Sequence, residues 1–107
     1  MIELAVTTEF VRAGSTAFGV EAAVHHDPAA ARAAGLADII VSTPHLGALV
    51  ERFVLENWGA RIGDLRLTMR RPVCAGTTVT ISGTATHRGW EVAISAGDDL
   101  LVHATCS

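Results

Sequence analysis

An α+β fold, with an antiparallel sheet laid against one long helix, is what the hydrophobic periodicity of this sequence predicts. Leu46, Leu49, Val50, Phe53, Val54 and Trp58 recur at spacings of three and four, as on a helix with a single apolar face. From residue 64 onward the period drops to two: Leu65, Leu67 and Met69 alternate with Arg66, Thr68 and Arg70, and later Val79 and Ile81 alternate with Thr78, Thr80 and Ser82. The order of the elements is strand, short helix, long helix and then several strands, which places the helical and sheet layers on opposite sides of one core.

The elements follow in chain order. Residues 2 to 13 are rich in β-branched and apolar types and are broken by Gly14-Ser15, which reads as a strand followed by a turn. Residues 16 to 24 show no clear period. Asp27 is suited to cap a helix, Pro28 to open it, the following alanines to fill it and Gly35 to stop it. Ser42-Thr43-Pro44 repeats the start signal for the long helix, about residues 44 to 58, and Gly59 ends it. The turns His87-Arg88-Gly89 and Ala96-Gly97-Asp98-Asp99 divide the remainder into an antiparallel meander of about four strands.

The composition narrows the chemistry. The chain has 107 residues, half of them hydrophobic, with a net charge of -3 and a mean hydropathy of +0.38, consistent with one small domain over residues 1–107. Such a domain buries only about two thirds of its unfolded surface, which favours self-association. There is no Lys and no Tyr, so all eight cations among the basic residues are Arg, and Schiff-base lysines, a Walker lysine and Tyr acid-base chemistry are excluded. No basic stripe tracks a nucleic acid backbone. Cys74 and Cys106 have neither the number nor the spacing of a disulfide framework or a zinc site. The start Met1-Ile2-Glu3-Leu4 lacks signal-peptide character and no apolar run is long enough to span a bilayer, so the expected location is cytoplasmic, away from the membrane.

Two places bring polar groups to a helix start. His25 and His26 immediately precede the Asp27-Pro28 start, as polar loop residues or as a neutral general base favoured by the positive end of the helix. Val41-Ser42-Thr43-Pro44 opens the long helix, where free backbone N–H groups serve as ordinary capping sites or face a developing oxyanion. His45, in the first turn of the long helix, reads as a surface or interface residue. His87 and His103 read as structural, and Cys74 as a small apolar filler.

These motifs, Val24-His25-His26-Asp27-Pro28, Ala30-Ala31-Arg32-Ala33-Ala34-Gly35-Leu36, Ile39-Ile40-Val41-Ser42-Thr43 and Arg71-Pro72-Val73-Cys74-Ala75-Gly76-Thr77, resemble those of the MaoC-like (R)-specific enoyl-CoA hydratases and dehydratases of the hot-dog fold. The likeness runs from about Phe10 to Thr105 and is strongest to the small single-domain subunits of actinobacterial steroid side-chain enoyl-CoA hydratases. It implies an acyl-CoA or acyl-carrier-protein substrate, a homodimer or a heterodimer with another MaoC-like chain whose sheets join edge to edge, and no cofactor or metal. Arg66, Arg70, Arg71 and Arg88 are then solvated strand-face charges or contacts to phosphate or an acidic carrier.

The resemblance places the family's general base on His25. The family's acidic partner, five positions earlier, falls on Val20, which transfers no proton, and the Asn and Pro that usually follow fall on Ala22 and Ala23. The family's Ala-His-Gly falls on Val41-Ser42-Thr43, so the oxyanion site rests on Ser42 and Thr43, with a Cβ where glycine is usual, and the resemblance gives His45 a second reading, as a residue pointing into the acyl tunnel. Three readings follow. Glu21 replaces the lost Asp, standing to His26 as that Asp stands to its His; His25 works alone on different chemistry, such as thioester hydrolysis, isomerisation or cyclisation; or the chain is a non-catalytic partner shaping the acyl pocket of a catalytic MaoC-like chain.

Overall fold

The computed structural model describes all 107 residues. The chain runs β1 (Ile2–Val6), α1 (Thr8–Ala17), a 3₁₀ turn (Ala23–His25), α2 (Pro28–Ala33), α3 (Thr43–Trp58), β2 (Leu65–Met69), β3 (Thr77–Thr86), β4 (Gly89–Ala96) and β5 (Asp99–Cys106). The strands form one antiparallel sheet in the order β1-β3-β4-β5-β2. This is the expected α+β, hot-dog layout, with one correction: only β3, β4 and β5 form a meander, because the chain crosses over after β2, which pairs at the far edge with β5 while β3 pairs with β1.

The period of two sorts the sheet into faces. Val79, Ile81, Val92, Ile94, Val102 and Ala104 are buried on the side that carries α3, while Thr78, Thr84, Glu91 and Thr105, one residue out of phase, are exposed on the other. α3 buries Leu46, Gly47, Val50, Phe53 and Val54, the face its sequence spacing predicts. It lies close on the sheet because small residues allow it. A Cβ at Gly47 would touch Leu65, and one at Gly83 would come within 2.8 Å of both the Phe53 ring and the Glu91 carbonyl. Phe53 therefore rests on a strand position that only glycine leaves flat.

Helix boundaries follow their caps. Asp27 accepts from Ala29 N at 3.0 Å and Pro28 opens α2. Gly59 closes α3 in the left-handed conformation, φ 64°, with its N–H on the Leu55 carbonyl.

The N-terminal expectation needs correcting. The strand stops at Val6, and residues 8 to 17 are a helix rather than the continuation of a strand into a Gly14-Ser15 turn. Thr7 caps it, its Oγ1 accepting from Phe10 N at 3.1 Å. The β-branched content of this stretch concealed a helical spacing of Val11, Gly14 and Ser15, all buried. Local propensity yields here to packing against α3.

Between α2 and α3 the chain is extended, and residues 39–41 pair antiparallel with residues 73–75. Val41 N donates to Val73 O and Ala75 N to Ile39 O, both at 2.9 Å, around the Ile40–Cys74 bridge. Gly76 N then donates to Val6 O at 2.7 Å, tying the same loop to β1.

Truncating Phe53, 3% exposed over Gly83, removes the largest side chain of the helix-sheet contact. Phe53→Ala is expected to lose about 3–5 kcal/mol, read as a lower midpoint in urea unfolding with an unchanged slope.

Candidate functional site

The site is assembled by the extended segment 39–42. Ile40 N donates to Val24 O at 3.1 Å, and the Ile40 carbonyl accepts from His25 Nδ1 at 2.7 Å. A carbonyl can only accept, so Nδ1 carries the proton and His25 Nε2 presents its lone pair. Two residues beyond Ile40 is Ser42, the cap of α3. The same three-residue stretch thus fixes the tautomer of His25 and delivers a helix N-terminus beside it.

At that helix start Ser42 adopts the capping conformation, but its hydroxyl makes no capping bond. Leu46 N bonds the Ser42 carbonyl at 3.0 Å. The N–H groups of Thr43 and His45 precede that first helical bond and have no acceptor within the helix, and Pro44 has no N–H, so two donors point out of the positive end of a 16-residue helix.

His26 is bonded to a different carbonyl. Its Nε2 donates to the Val20 carbonyl at 2.7 Å, while its own carbonyl accepts from Arg12 Nε at 2.9 Å. His26 is a brace for the loop between α1 and α2. The backbone of Val20, the position where the resemblance demands an Asp, is what it holds.

Glu21 is exposed and makes no hydrogen bond or ion pair, to His25, to His26 or to any other group; the one ion pair of the chain is Arg52–Glu56 on the open side of α3. The structure ties His25, through the Ile40 carbonyl, to the segment that runs into Ser42 and Thr43, and gives Glu21 no bond to either histidine. No cluster of His, Cys, Asp and Glu has the arrangement of a metal site.

His45 is not a surface residue. It is buried against α1, 8% exposed, stacked on Phe10 with ring centroids 4.4 Å apart and flanked by Phe18 at 6.2 Å. Gly14 lies so close that a Cβ there would overlap the imidazole. Burial pushes the His45 pKa below the usual imidazole range. The sequence could not reveal the carbonyls of Ile40 and Val20, which any residue type supplies. Gly14 within a helical spacing was the one available sign of the α1–α3 contact.

A cavity of about 690 Å³, lined among others by Asp64, Arg66, Arg88 and Trp90, lies elsewhere. Trp90 packs on Trp58, the last residue of α3, so this cavity sits at the far end of a helix about 24 Å long.

With this geometry in view, solved structures supply the relation. A chain in the ChsH1-ChsH2 complex from Mycobacterium tuberculosis superposes with a TM-score of 0.88 at 30% identity, covering 98% of this chain and 88% of that one. The chain belongs to the MaoC-like hydratase/dehydratase family. An (R)-hydratase from A. caviae involved in PHA biosynthesis (TM-score 0.81, 20% identity, 98% and 88% covered) and the HadBC (3R-hydroxyacyl-ACP dehydratase) complex from Mycobacterium tuberculosis (TM-score 0.82, 17% identity, 98% and 88% covered) share its fold. No family model and no curated protein matches the sequence. Within this MaoC-like chain no helix is long and apolar enough to cross a membrane.

Two outcomes follow from the histidines. His26→Ala frees the Val20 carbonyl and is expected to cost about 1 kcal/mol, with faster amide exchange confined to residues 18–27. His45 is held neutral in the fold while the unfolded chain binds a proton near pH 6.5. Its contribution to stability is therefore complete above that pH and is lost as pH falls below it. Melting temperatures measured from pH 8 to pH 5 should fall more steeply for the native chain than for His45→Phe.

Proposed function

We propose that this chain adds water to, or removes it from, the α,β bond of an acyl thioester, with His25 as the base and the Thr43 and His45 amides as the oxyanion site. The observation that carries this reading is the His25 Nδ1 bond to the Ile40 carbonyl, which leaves Nε2 free beside the start of α3. The acyl carrier is coenzyme A or a carrier protein, and the partner is a second MaoC-like chain, of the same or different sequence, joined along one of the sheet edges β1 or β2. The heteromeric ChsH1-ChsH2 and HadBC complexes support such an assembly.

In the hydration direction Nε2 takes a proton from water as the oxygen bonds to Cβ. The electron pair of the α,β bond moves to the thioester oxygen, where the helix amides stabilise it. The imidazolium then returns its proton to Cα as the enolate collapses. One histidine thus carries both transfers on one face of the substrate, which needs no carboxylate at Val20 or Glu21.

The test is hydration of a crotonyl thioester by the purified chain, alone and with its co-purifying partner. His25→Ala should lower the rate by about 10²–10⁴, Glu21→Gln should leave it within about twofold, and Val20→Asp should raise it. A complex whose rate ignores His25→Ala would instead make this chain a non-catalytic subunit shaping its partner's pocket.

A further inference from the structure

Three side-chain atoms of the molecule are buried without a hydrogen-bonding partner in the chain: Ser15 Oγ, Ser42 Oγ and His45 Nδ1. His45 packs on α1, Ser42 caps the same turn of α3, and Ser15 lies on the buried side of α1 next to Gly14. Ser42 and His45 are three residues apart, hence on one side of that turn, and Ser15 follows Gly14, which lies against the His45 ring. Ser15 is 0%, Ser42 1% and His45 8% exposed.

Such groups carry a desolvation penalty unless something bonds them. The purposes already assigned do not account for this one. The Ser42 hydroxyl makes no cap bond, and the oxyanion site uses backbone amides. An apolar acyl chain at this junction would leave these groups unsatisfied, whereas an oxygen on that chain would offer them a partner. A neutral imidazole suits either a hydroxyl or a ketone, since its nitrogens offer one donor and one acceptor.

We propose that Ser15, Ser42 and His45 form a polar subsite that recognises an oxygen atom, a hydroxyl or a ketone, borne by the acyl chain beyond the reacting carbons. In the unliganded chain α1 closes it: Phe10 stacks on the imidazole, Gly14 abuts it, and the exposed Phe18 stands at its outer side. The ligand reaches the subsite when the last turn of α1, with Phe18, swings outward. The selectivity arises because a site built around buried polar groups rejects an analogue that cannot pair them far more strongly than a greasy pocket rejects an added hydroxyl.

This inference rests on the thioester reading, and the test separates the two. The probes are S-alkyl pantetheine thioethers of one chain length, either unsubstituted or bearing a single hydroxyl or ketone at successive carbons beyond the β position. Their dissociation constants are measured by calorimetry on the native protein with its partner. At least one oxygenated probe should bind about tenfold or more tightly than the plain alkyl probe, and Ser42→Ala and His45→Phe should each shrink that ratio towards one. Probes that all bind equally would overturn the subsite and leave the thioester reading standing; probes that all fail to bind would overturn both. Melting of the free chain gives a second check. Ser15→Ala and Ser42→Ala should raise its melting temperature by removing unpaired buried hydroxyls, and a lowered temperature in both would show the hydroxyls already bonded and overturn the proposal.

Discussion

The hydrogen bond from His25 Nδ1 to the Ile40 carbonyl is the contact on which the rest of the site depends. It is made by backbone that is itself held from three sides. Val24 accepts from Ile40 N, Val73 accepts from Val41 N, and Ile39 accepts from Ala75 N. The extended segment 39–41 therefore works as a short additional strand, joining the histidine loop to the loop that leads into β3. Because it runs directly into α3, any displacement of the segment would move the base and the helix amides together. Their relative position is set by that one hydrogen bond and by the two peptide units between Ile40 and Ser42.

α3 owes its own position to the sheet. Glycines at 47 and 83 let the helix approach β2 and let Phe53 settle on β3, so the apolar face of one helix meets the inner residues of the sheet without a gap. Toward the C-terminal end of α3 this packing is apolar and ends in the aromatic group of Phe53, Trp58 and Trp90. At its N-terminal end, against α1, the contact mixes aromatic stacking with unpaired polar atoms. The well-packed end anchors the helix, and the polar end is where binding is cheapest to build, since groups left unpaired in the free chain lose nothing when a ligand pairs them.

The replacement of an acid by Val20 is matched by a structural change of use. His26, which by residue count stood to Glu21 as a base stands to its acid, is turned to the Val20 carbonyl, and Arg12 holds the other side of His26. The loop that in the family's pattern presents a carboxylate here presents only backbone to its neighbours. What remains is an imidazole of fixed tautomer near a helix start, a set of groups sufficient for proton transfer by a single base and an oxyanion stabilised by amides.

Much of this was legible in the residues. The period of two over β2 to β5, the three-and-four spacing of α3, the Asp27-Pro28 start and the Gly59 stop are local signals, and local chemistry was enough to honour them. His25 and the Ser42-Thr43 helix start were legible for the same reason, as residue types at recognisable offsets. Residues 8 to 17 were misread because their helix depends on a partner, α3, 30 and more residues along the chain, and His45 was misplaced because its surroundings are α1. Residue counting set Glu21 opposite His26 but says nothing about direction, and in the fold the Glu21 side chain is exposed and bonded to neither histidine. By itself, then, the sequence determined the strands, the main helix and the placing of two histidines just before a helix start, all properties of neighbouring residues. Only the tertiary structure decided which nitrogen of His25 is free, what His26 holds and what covers His45, because those outcomes rest on backbone carbonyls and on contacts between segments distant in sequence.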